Sequence, residues 1–235
     1  MFGFPLFYMF DPTIILLIIG AIIAGIASWN VNRTFDKYSR YTNRRGLTAD
    51  QVARMMLDHN RIGHVGVSTV RGKLTDYYAP RDETLYLSDQ VSQESSISAI
   101  GVAAHECGHA LQDADNYAFM RIREKIVPVV NFGSSLSMPI LLLGVLFGMN
   151  QTLINIGIAL FSLALVFQLV TLPVEFDASR RAIRCLDEMN ILSQEELPYA
   201  KSTLRAAALT YVAGTVSTLL SLLRIIILFG GNRRD

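Results

Sequence analysis

The stretch LINIGIALFSLALVFQLVTL (residues 153–172) contains twenty consecutive residues without an acidic or basic side chain. A helix of about twenty apolar residues is long enough to cross the hydrocarbon core of a bilayer. The whole chain agrees with this interpretation, because 51% of its 235 residues are hydrophobic and only 17% are charged. Its mean hydropathy is also positive. We therefore predict a membrane protein rather than a soluble domain.

Three further segments have the same apolar character, at about residues 14–29, 126–147 and 206–229. Together with residues 153–172 they predict a mainly α, multi-pass helical membrane protein. Pro128 and Pro139 lie inside the second segment, so we expect a kinked helix that packs against other helices. The net charge of +1 gives no indication of a nucleic-acid partner. The expected environment is the lipid bilayer.

Basic residues flank only some of the predicted helix ends. Cytoplasmic connections of membrane proteins carry an excess of Lys and Arg. The short connection at residues 148–152 has none, so we predict that residues 30–125 and 173–205 lie in the cytoplasm. Arg224, Arg233 and Arg234 fall on the opposite side by this rule, which makes the fourth segment either re-entrant or an exception. The basic residues that carry the assignment are Arg33, Lys37, Arg40, Arg44, Arg45, Arg121, Arg123, Lys125, Arg180, Arg181 and Arg184.

Residues 30–125 show a mixed pattern of helix and strand. LTADQVARMMLDHNRIG (residues 47–63) predicts a helix that begins with a capping box formed by Thr48 and Gln51 and ends near Gly63. The pieces VGVSTV, DYYA and TLYLS are rich in β-branched and aromatic residues, which predicts a small sheet or hairpin. A second helix follows over residues 92–112, with Ser92 or Ser95 near its start. We find no internal repeat, so we expect residues 1–235 to form a single membrane-embedded domain.

The second helix contains HECGH at residues 105–109. His105 and His109 are four residues apart, so both imidazoles project from one helix face and can bind one metal ion. Glu106 is rotated by roughly a quarter turn from that face. Its carboxylate can reach a water molecule at the metal without being a ligand, which is the arrangement of zinc-dependent hydrolysis. The motif therefore predicts one Zn²⁺ per chain, with Glu106 as general base.

A catalytic zinc site needs a third protein ligand, and no histidine follows His109. His59, His64 and a cysteine are weak candidates, and Cys107 is better explained as a small packing residue. Asp113 and Asp115 are close in sequence but have the character of helix-end or turn residues. Glu175 is better placed, because it follows the third membrane segment at the boundary where the second helix can meet it. Its alternative role is to balance the charges of Arg180 and Arg181.

AAHECGHALQ together with LPVEFDASRRAI resembles the bacterial membrane zinc metallopeptidases of the YugP-like neutral zinc peptidase family. More distantly, the chain is similar to the membrane-bound prenyl-protein (CAAX) proteases and their bacterial stress-protease relatives. The closer resemblance extends over nearly the whole chain. It implies a gluzincin-type site in a zincin-like cytoplasmic portion, with His105, His109 and Glu175 as ligands and Glu106 as base.

The distant relatives carry an aspartate four residues after the ligand glutamate, and that aspartate orients a ligand histidine. Here the position is Ser179, and Asp177 is expected on roughly the opposite helix face. Ser179 is therefore the better candidate for this orienting role. Candidates for stabilising the oxyanion remain open among Tyr199, Tyr211, Arg180 and Arg181. The related enzymes also pair an extended substrate with an edge strand, for which DETLYLS and LTDYYA are candidates, although a purely structural hairpin is an equal alternative.

The resulting functional hypothesis is a membrane endopeptidase that hydrolyses peptide bonds of membrane-associated or misfolded proteins. It is expected in the bacterial cell membrane with its active site facing the cytoplasm, and a regulatory membrane partner is left open. An intramembrane protease is disfavoured, because the apolar run around HECGH is too short to span a bilayer. The non-enzymatic alternative is a membrane scaffold or chaperone-like factor with a structural metal site. Structural zinc normally has four protein ligands, and only three good candidates are found.

Overall fold

The computed structural model describes residues 11–230, and these residues are mainly helical with one small sheet. Both features agree with the fold class predicted from the sequence. The elements in chain order are α1 (Ile14–Tyr38), α2 (Ala49–His59), β1 (Gly66–Val70), β2 (Tyr77–Ala79), β3 (Thr84–Ser88), α3 (Asp89–Ser92), α4 (Ile97–Ala114), α5 (Ala118–Leu146), α6 (Gln151–Glu188) and α7 (Leu197–Phe229).

Within residues 11–230, four helices are long and apolar enough to cross a membrane, namely α1, α5, α6 and α7. They cover the four predicted segments to within one residue, since α5 ends at Leu146. The prediction of several membrane-spanning helices is confirmed by their length and composition. Each helix is longer than its apolar run because polar and charged residues continue it. Helix α6 passes through Pro173 and continues to Glu188. The predicted connection at residues 173–205 is therefore wrong as a loop: most of it is helix, interrupted only at residues 189–196.

One compact unit consists, among the described residues, of 11–27, 122–171 and 210–230. Helix α1 begins here with a cap, because the Asp11 carboxylate accepts a hydrogen bond from the Thr13 backbone N–H at 2.7 Å. The same carboxylate pairs with the Arg224 guanidinium at 2.9 Å. Pairing lowers the cost of a charge near a membrane, so Arg224, the exception to the charge rule, has an acidic partner. Arg233 and Arg234 lie outside the described residues.

The other compact unit comprises residues 28–121 and 172–209. Its core combines side chains of α2, β3, α4 and the ends of α6 and α7, including the fully buried Leu57, Leu85, Ile100 and Leu186. The predicted capping box of α2 is present, since the Thr48 N–H donates to the Gln51 side chain at 3.0 Å. The predicted end near Gly63 is wrong, because the helix ends at His59 and the chain turns at Arg61, whose φ is 62°.

The small sheet has the strand order β1-β3-β2. β3 pairs with β1 in parallel and with β2 in antiparallel orientation, so β2 and β3 form the predicted hairpin. Because β3 is central, its backbone is paired on both sides and DETLYLS cannot be a free edge. β2 lies at an edge and is tied to α4, since the Tyr78 hydroxyl donates to the Asp113 carboxylate at 2.7 Å. Of the two sequence candidates for an edge strand, only the one containing β2 remains.

Candidate metal centre

Helix α4 carries the HECGH sequence and is buried along most of its length. It begins after Ser96, whose hydroxyl accepts a hydrogen bond from the Ala99 N–H at 3.3 Å. Of the two predicted starts, Ser95 lies one residue before the observed cap, and Ser92 is wrong. Ser92 instead closes the short helix α3, and residues 93–96 connect the two helices.

Gly108 lets α4 approach α6 closely. A Cβ atom built on Gly108 would lie 2.4 Å from the Ala178 carbonyl oxygen, which is too close for any side chain. Ala178 lies three residues after Glu175 on α6. The glycine inside the motif therefore determines how near the histidine helix comes to the helix of the candidate carboxylate ligand.

We expect Gly108→Ala to force α4 and α6 apart, because the added methyl group meets backbone that cannot rotate away. Overpacking of this kind costs about 1–3 kcal/mol of folding free energy, and the bound zinc should fall in parallel. Thermal unfolding and zinc content of the purified variant measure both effects. Gly101→Ala is the matched control on the same helix, because its Cβ would meet Ala200 at an ordinary 3.7 Å. Equal behaviour of the two variants would contradict the role given to Gly108.

The structure brings His105, His109 and Glu175 together. The Glu175 Oε2 atom lies 3.2 Å from His105 Nε2 and 3.5 Å from His109 Nε2. One ligand atom from each of the three residues falls within 4.8 Å of the others. The Glu175 side chain is only 2% exposed and the histidines are 15% and 11% exposed. A cluster this buried contacts solvent through little besides the imidazole edges.

The donor set fits a zinc ion by type and by spacing. Two imidazole nitrogens and one carboxylate oxygen are ordinary zinc ligands, and three protein ligands are typical of open, catalytic sites. Tetrahedral zinc with bonds of about 2.0–2.1 Å places its ligand atoms roughly 3.3 Å apart. The two distances from Glu175 Oε2 bracket that value. The three residues could therefore hold one zinc ion with little rearrangement.

Glu106 lies beside the cluster but is not part of it. Its side chain is buried, and burial raises the pKa of the Glu106 carboxyl above its usual range, with the His105 and His109 imidazoles opposing the shift. Within residues 11–230, no hydrogen bond engages this carboxylate. Its oxygens are thus open to a small molecule at the centre, which is the requirement for a proton acceptor.

The two histidines are held from behind by different residues. Ser179 Oγ lies 3.1 Å from His105 Nδ1, so the structure places the predicted Ser179 next to the ring that it was expected to orient. His109 Nδ1 donates to the Gln112 side-chain oxygen at 3.0 Å. With both Nδ1 atoms so engaged, each histidine keeps Nε2 for a metal ion.

Gln112 is the residue that sequence reasoning missed. It is fully buried, and its amide nitrogen donates to the Val174 carbonyl at 2.8 Å and to the Asp177 carboxylate at 3.0 Å. It therefore links His109 to the segment of α6 that carries Glu175. Asp177 was expected on the helix face away from the site, but its carboxylate reaches α4, where it accepts the hydrogen bond from Gln112. The available signal was the position of Gln112 three residues after His109, on the same face of the helix.

The other ligand candidates have different partners. Asp113 pairs with Arg121 at 2.6 Å and accepts from Tyr78, and Asp115 pairs with Arg181. His64 lies 4.0 Å from Glu83 at the surface, and His59 is exposed at the end of α2. Cys107 is fully buried in the core, and burial raises the pKa of its thiol. None of these residues belongs to the cluster of donors in the described part of the chain.

Two of the oxyanion candidates are also engaged elsewhere. The Tyr199 ring stacks on Tyr38 with a centroid distance of 5.0 Å. Arg181 is paired with Asp177 at 2.7 Å as well as with Asp115.

Comparison with known proteins agrees with this geometry. The family model described as "Putative neutral zinc metallopeptidase" matches residues 13–230 of the chain. The chain is also 43% identical over 224 residues to the "Putative membrane protease YugP" of Bacillus subtilis (strain 168), which covers 94% of this chain and 98% of that protein. No solved structure gives a significant match.

Proposed function

Because the chain belongs to the neutral zinc metallopeptidase family, we propose that it is a membrane-bound endopeptidase. It would hydrolyse peptide bonds of membrane-associated or misfolded proteins at the cytoplasmic face of the membrane. The observation that carries the proposal is the convergence of His105, His109 and Glu175 beside the unbonded carboxylate of Glu106. This is the gluzincin arrangement, two histidines from one helix and a glutamate from a later one.

In this proposal His105, His109 and Glu175 hold one zinc ion per chain. When bound, zinc acts as a Lewis acid toward the substrate carbonyl and lowers the pKa of water at its open position. Glu106 accepts a proton from the attacking water and delivers it to the leaving amine. The position of Glu106 suits this role, because its carboxylate lies beside the three ligands and accepts no hydrogen bond within residues 11–230.

The surrounding residues position these groups. Ser179 and Gln112 hold the His105 and His109 rings by their Nδ1 atoms, so each ring keeps one orientation. The edge strand β2 is the candidate for pairing with an extended peptide, because within residues 11–230 a strand pairs with it on one side only. It is also linked to α4 through Tyr78 and Asp113. An extended substrate is a general requirement of a peptidase that cleaves unfolded segments.

Removal and return of the metal tests the assignment as an enzyme. We expect the purified protein to contain one zinc per chain, to lose cleavage of casein when a zinc chelator removes the ion, and to regain it when zinc is added. Zinc content and cleavage are measured on the same sample. Two outcomes would favour a scaffold with a structural metal. One is that casein cleavage persists after the zinc is removed, and the other is that the zinc-containing protein does not cleave casein.

The cytoplasmic face is supported by the basic residues that border residues 30–125 and 173–205. We expect a cysteine introduced at the exposed Arg81 to react with a membrane-impermeant maleimide in inverted membrane vesicles and not in intact cells. The natural Cys107 and Cys185 are buried and provide the background control. Labelling of Arg81→Cys in intact cells would place the site on the outer side.

A further inference from the structure

A cavity of about 400 Å³ lies between the last turns of α6 and the first turns of α7, apart from the metal cluster. We call it the α6–α7 cavity. Phe176, Ser179 and Arg180 line it from α6, and Lys201, Leu204 and Arg205 line it from α7. All of these residues belong to one compact unit. The mechanism proposed above uses only Ser179 among them.

The cavity combines positive charge with apolar walls. Arg180, Lys201 and Arg205 are exposed. Arg180 has a carboxylate neighbour, Asp177, at 3.4 Å. Within residues 11–230 no acidic side chain pairs with Lys201 or Arg205. The exposed ring of Phe176 and the buried Leu204 side chain supply the apolar surface. Three cations beside apolar walls suit a ligand that has an anionic group and a hydrocarbon part.

The place of the cavity along the helices points to the membrane surface. Phe176 and Arg180 follow the apolar run at residues 153–172, and Lys201 and Arg205 precede the run at residues 206–229. At about 1.5 Å per helical residue, these four positions lie roughly 2–12 Å beyond the apolar runs. Lipid headgroups occupy this depth next to the hydrocarbon core.

The lining of the cavity argues against a peptide substrate as occupant, because none of the candidate metal ligands belongs to it. Ser179 lines the cavity and contacts His105 at Nδ1, whereas Glu175 meets His105 at Nε2. His105 itself does not line the cavity. The lining residue that contacts it does so at Nδ1, whereas the candidate metal ligands converge at Nε2. A scissile peptide bond would have to lie on the Nε2 side.

We propose that the α6–α7 cavity binds an anionic phospholipid. The phosphate lies among Arg180, Lys201 and Arg205, and an acyl chain runs along Phe176 and Leu204 toward the membrane. Basic pockets between membrane helices bind acidic lipid headgroups. Each basic side chain near the surface increases the affinity about fivefold. This inference does not depend on peptidase activity, because none of these contacts involves the metal ligands.

The test uses the full chain reconstituted in phosphatidylcholine with or without phosphatidylglycerol. We expect phosphatidylglycerol to protect Lys201 from an amine-reactive reagent, read by mass spectrometry, while Lys37 at the end of α1 changes little. Lys37 is the control for nonspecific effects of phosphatidylglycerol on the access of the reagent to the membrane surface. The same protection in zinc-free protein would show that lipid binding does not require the metal. The lipid proposal can then be judged even if the proposed peptidase function fails.

Variants give a second measurement. We expect the double variant Lys201→Gln and Arg205→Gln to bind phosphatidylglycerol roughly 25-fold more weakly, from two lost cations. Arg33→Gln with Arg40→Gln removes two interfacial cations outside the cavity and should bind nearly as well as the unaltered protein. Equal loss in both double variants would overturn the proposal, as would unchanged Lys201 reactivity in phosphatidylglycerol. Protection by inorganic phosphate alone, or by an acidic casein peptide in place of the lipid, would overturn it as well.

Discussion

Glu106→Gln is expected to abolish peptide-bond cleavage while the protein retains its zinc. Glutamine has nearly the shape of glutamate, so the buried position beside His105 and His109 remains filled. It cannot accept the proton of the attacking water. Loss of a general base typically costs a factor of about 10² to 10⁴ in rate. Casein cleavage and zinc content of the same preparation measure the two halves of this expectation.

The exposed Glu94 lies just before α4 and gives a matched control. Glu94→Gln removes the same charge from the same part of the chain and should leave cleavage unchanged. Zinc retained together with normal cleavage in Glu106→Gln would show that another group takes the proton. Loss of zinc in Glu106→Gln would mean that Glu106 helps to bind the metal, which would contradict its assignment as a general base alone.

Glu175→Gln is expected to lose more zinc than the Glu106→Gln and Gly108→Ala variants. Glu175 supplies the only carboxylate in the donor cluster, and its Oε2 atom lies close to both histidines. Outer-shell residues change metal affinity by roughly 10- to 100-fold, and removal of a direct ligand should exceed that range. A zinc titration against a competing chelator measures the change, and cleavage should fall with occupancy.

Asp113→Asn and Asp115→Asn are the matched controls, because these carboxylates were the other acidic candidates close to the motif. Each is paired with an arginine in the structure, Asp113 with Arg121 and Asp115 with Arg181. Both variants should keep their zinc. If one of them loses it and Glu175→Gln does not, the third ligand is assigned to the wrong residue.

Much of the site could be predicted from local sequence because its chemistry is local. His105 and His109 are one helical turn apart, and this spacing alone places two imidazoles on one face. Glu175 was favoured because the apolar run before it predicts where the chain leaves the membrane. The structure shows it in the middle of a continuous helix α6 rather than in a connection after a membrane helix. Charged residues can continue a helix beyond the bilayer, so an apolar run marks the membrane portion and not the helix end.

Contacts between distant residues could not be predicted in the same way. Gln112 looks like an ordinary polar residue near a helix end, and only its burial against Val174 and Asp177 shows that it ties His109 to α6. The strand order is a similar case, because TLYLS and DYYA have equal edge character in sequence and pairing alone places β3 in the centre. Arg224 remains an exception to the charge rule, and only the structure shows that Asp11 pairs with it.

The sequence by itself therefore determined the membrane helices, the mixed portion between them and the face of α4 that carries two histidines. These features depend on the periodicity and length of single segments, which a linear pattern records. Only the tertiary structure decided that Glu175 reaches both histidines, that Gly108 sets the approach of α4 to α6, and that Ser179 and Gln112 hold the rings. Those relations depend on how two helices pack, and packing is the sum of many contacts between residues far apart in the chain.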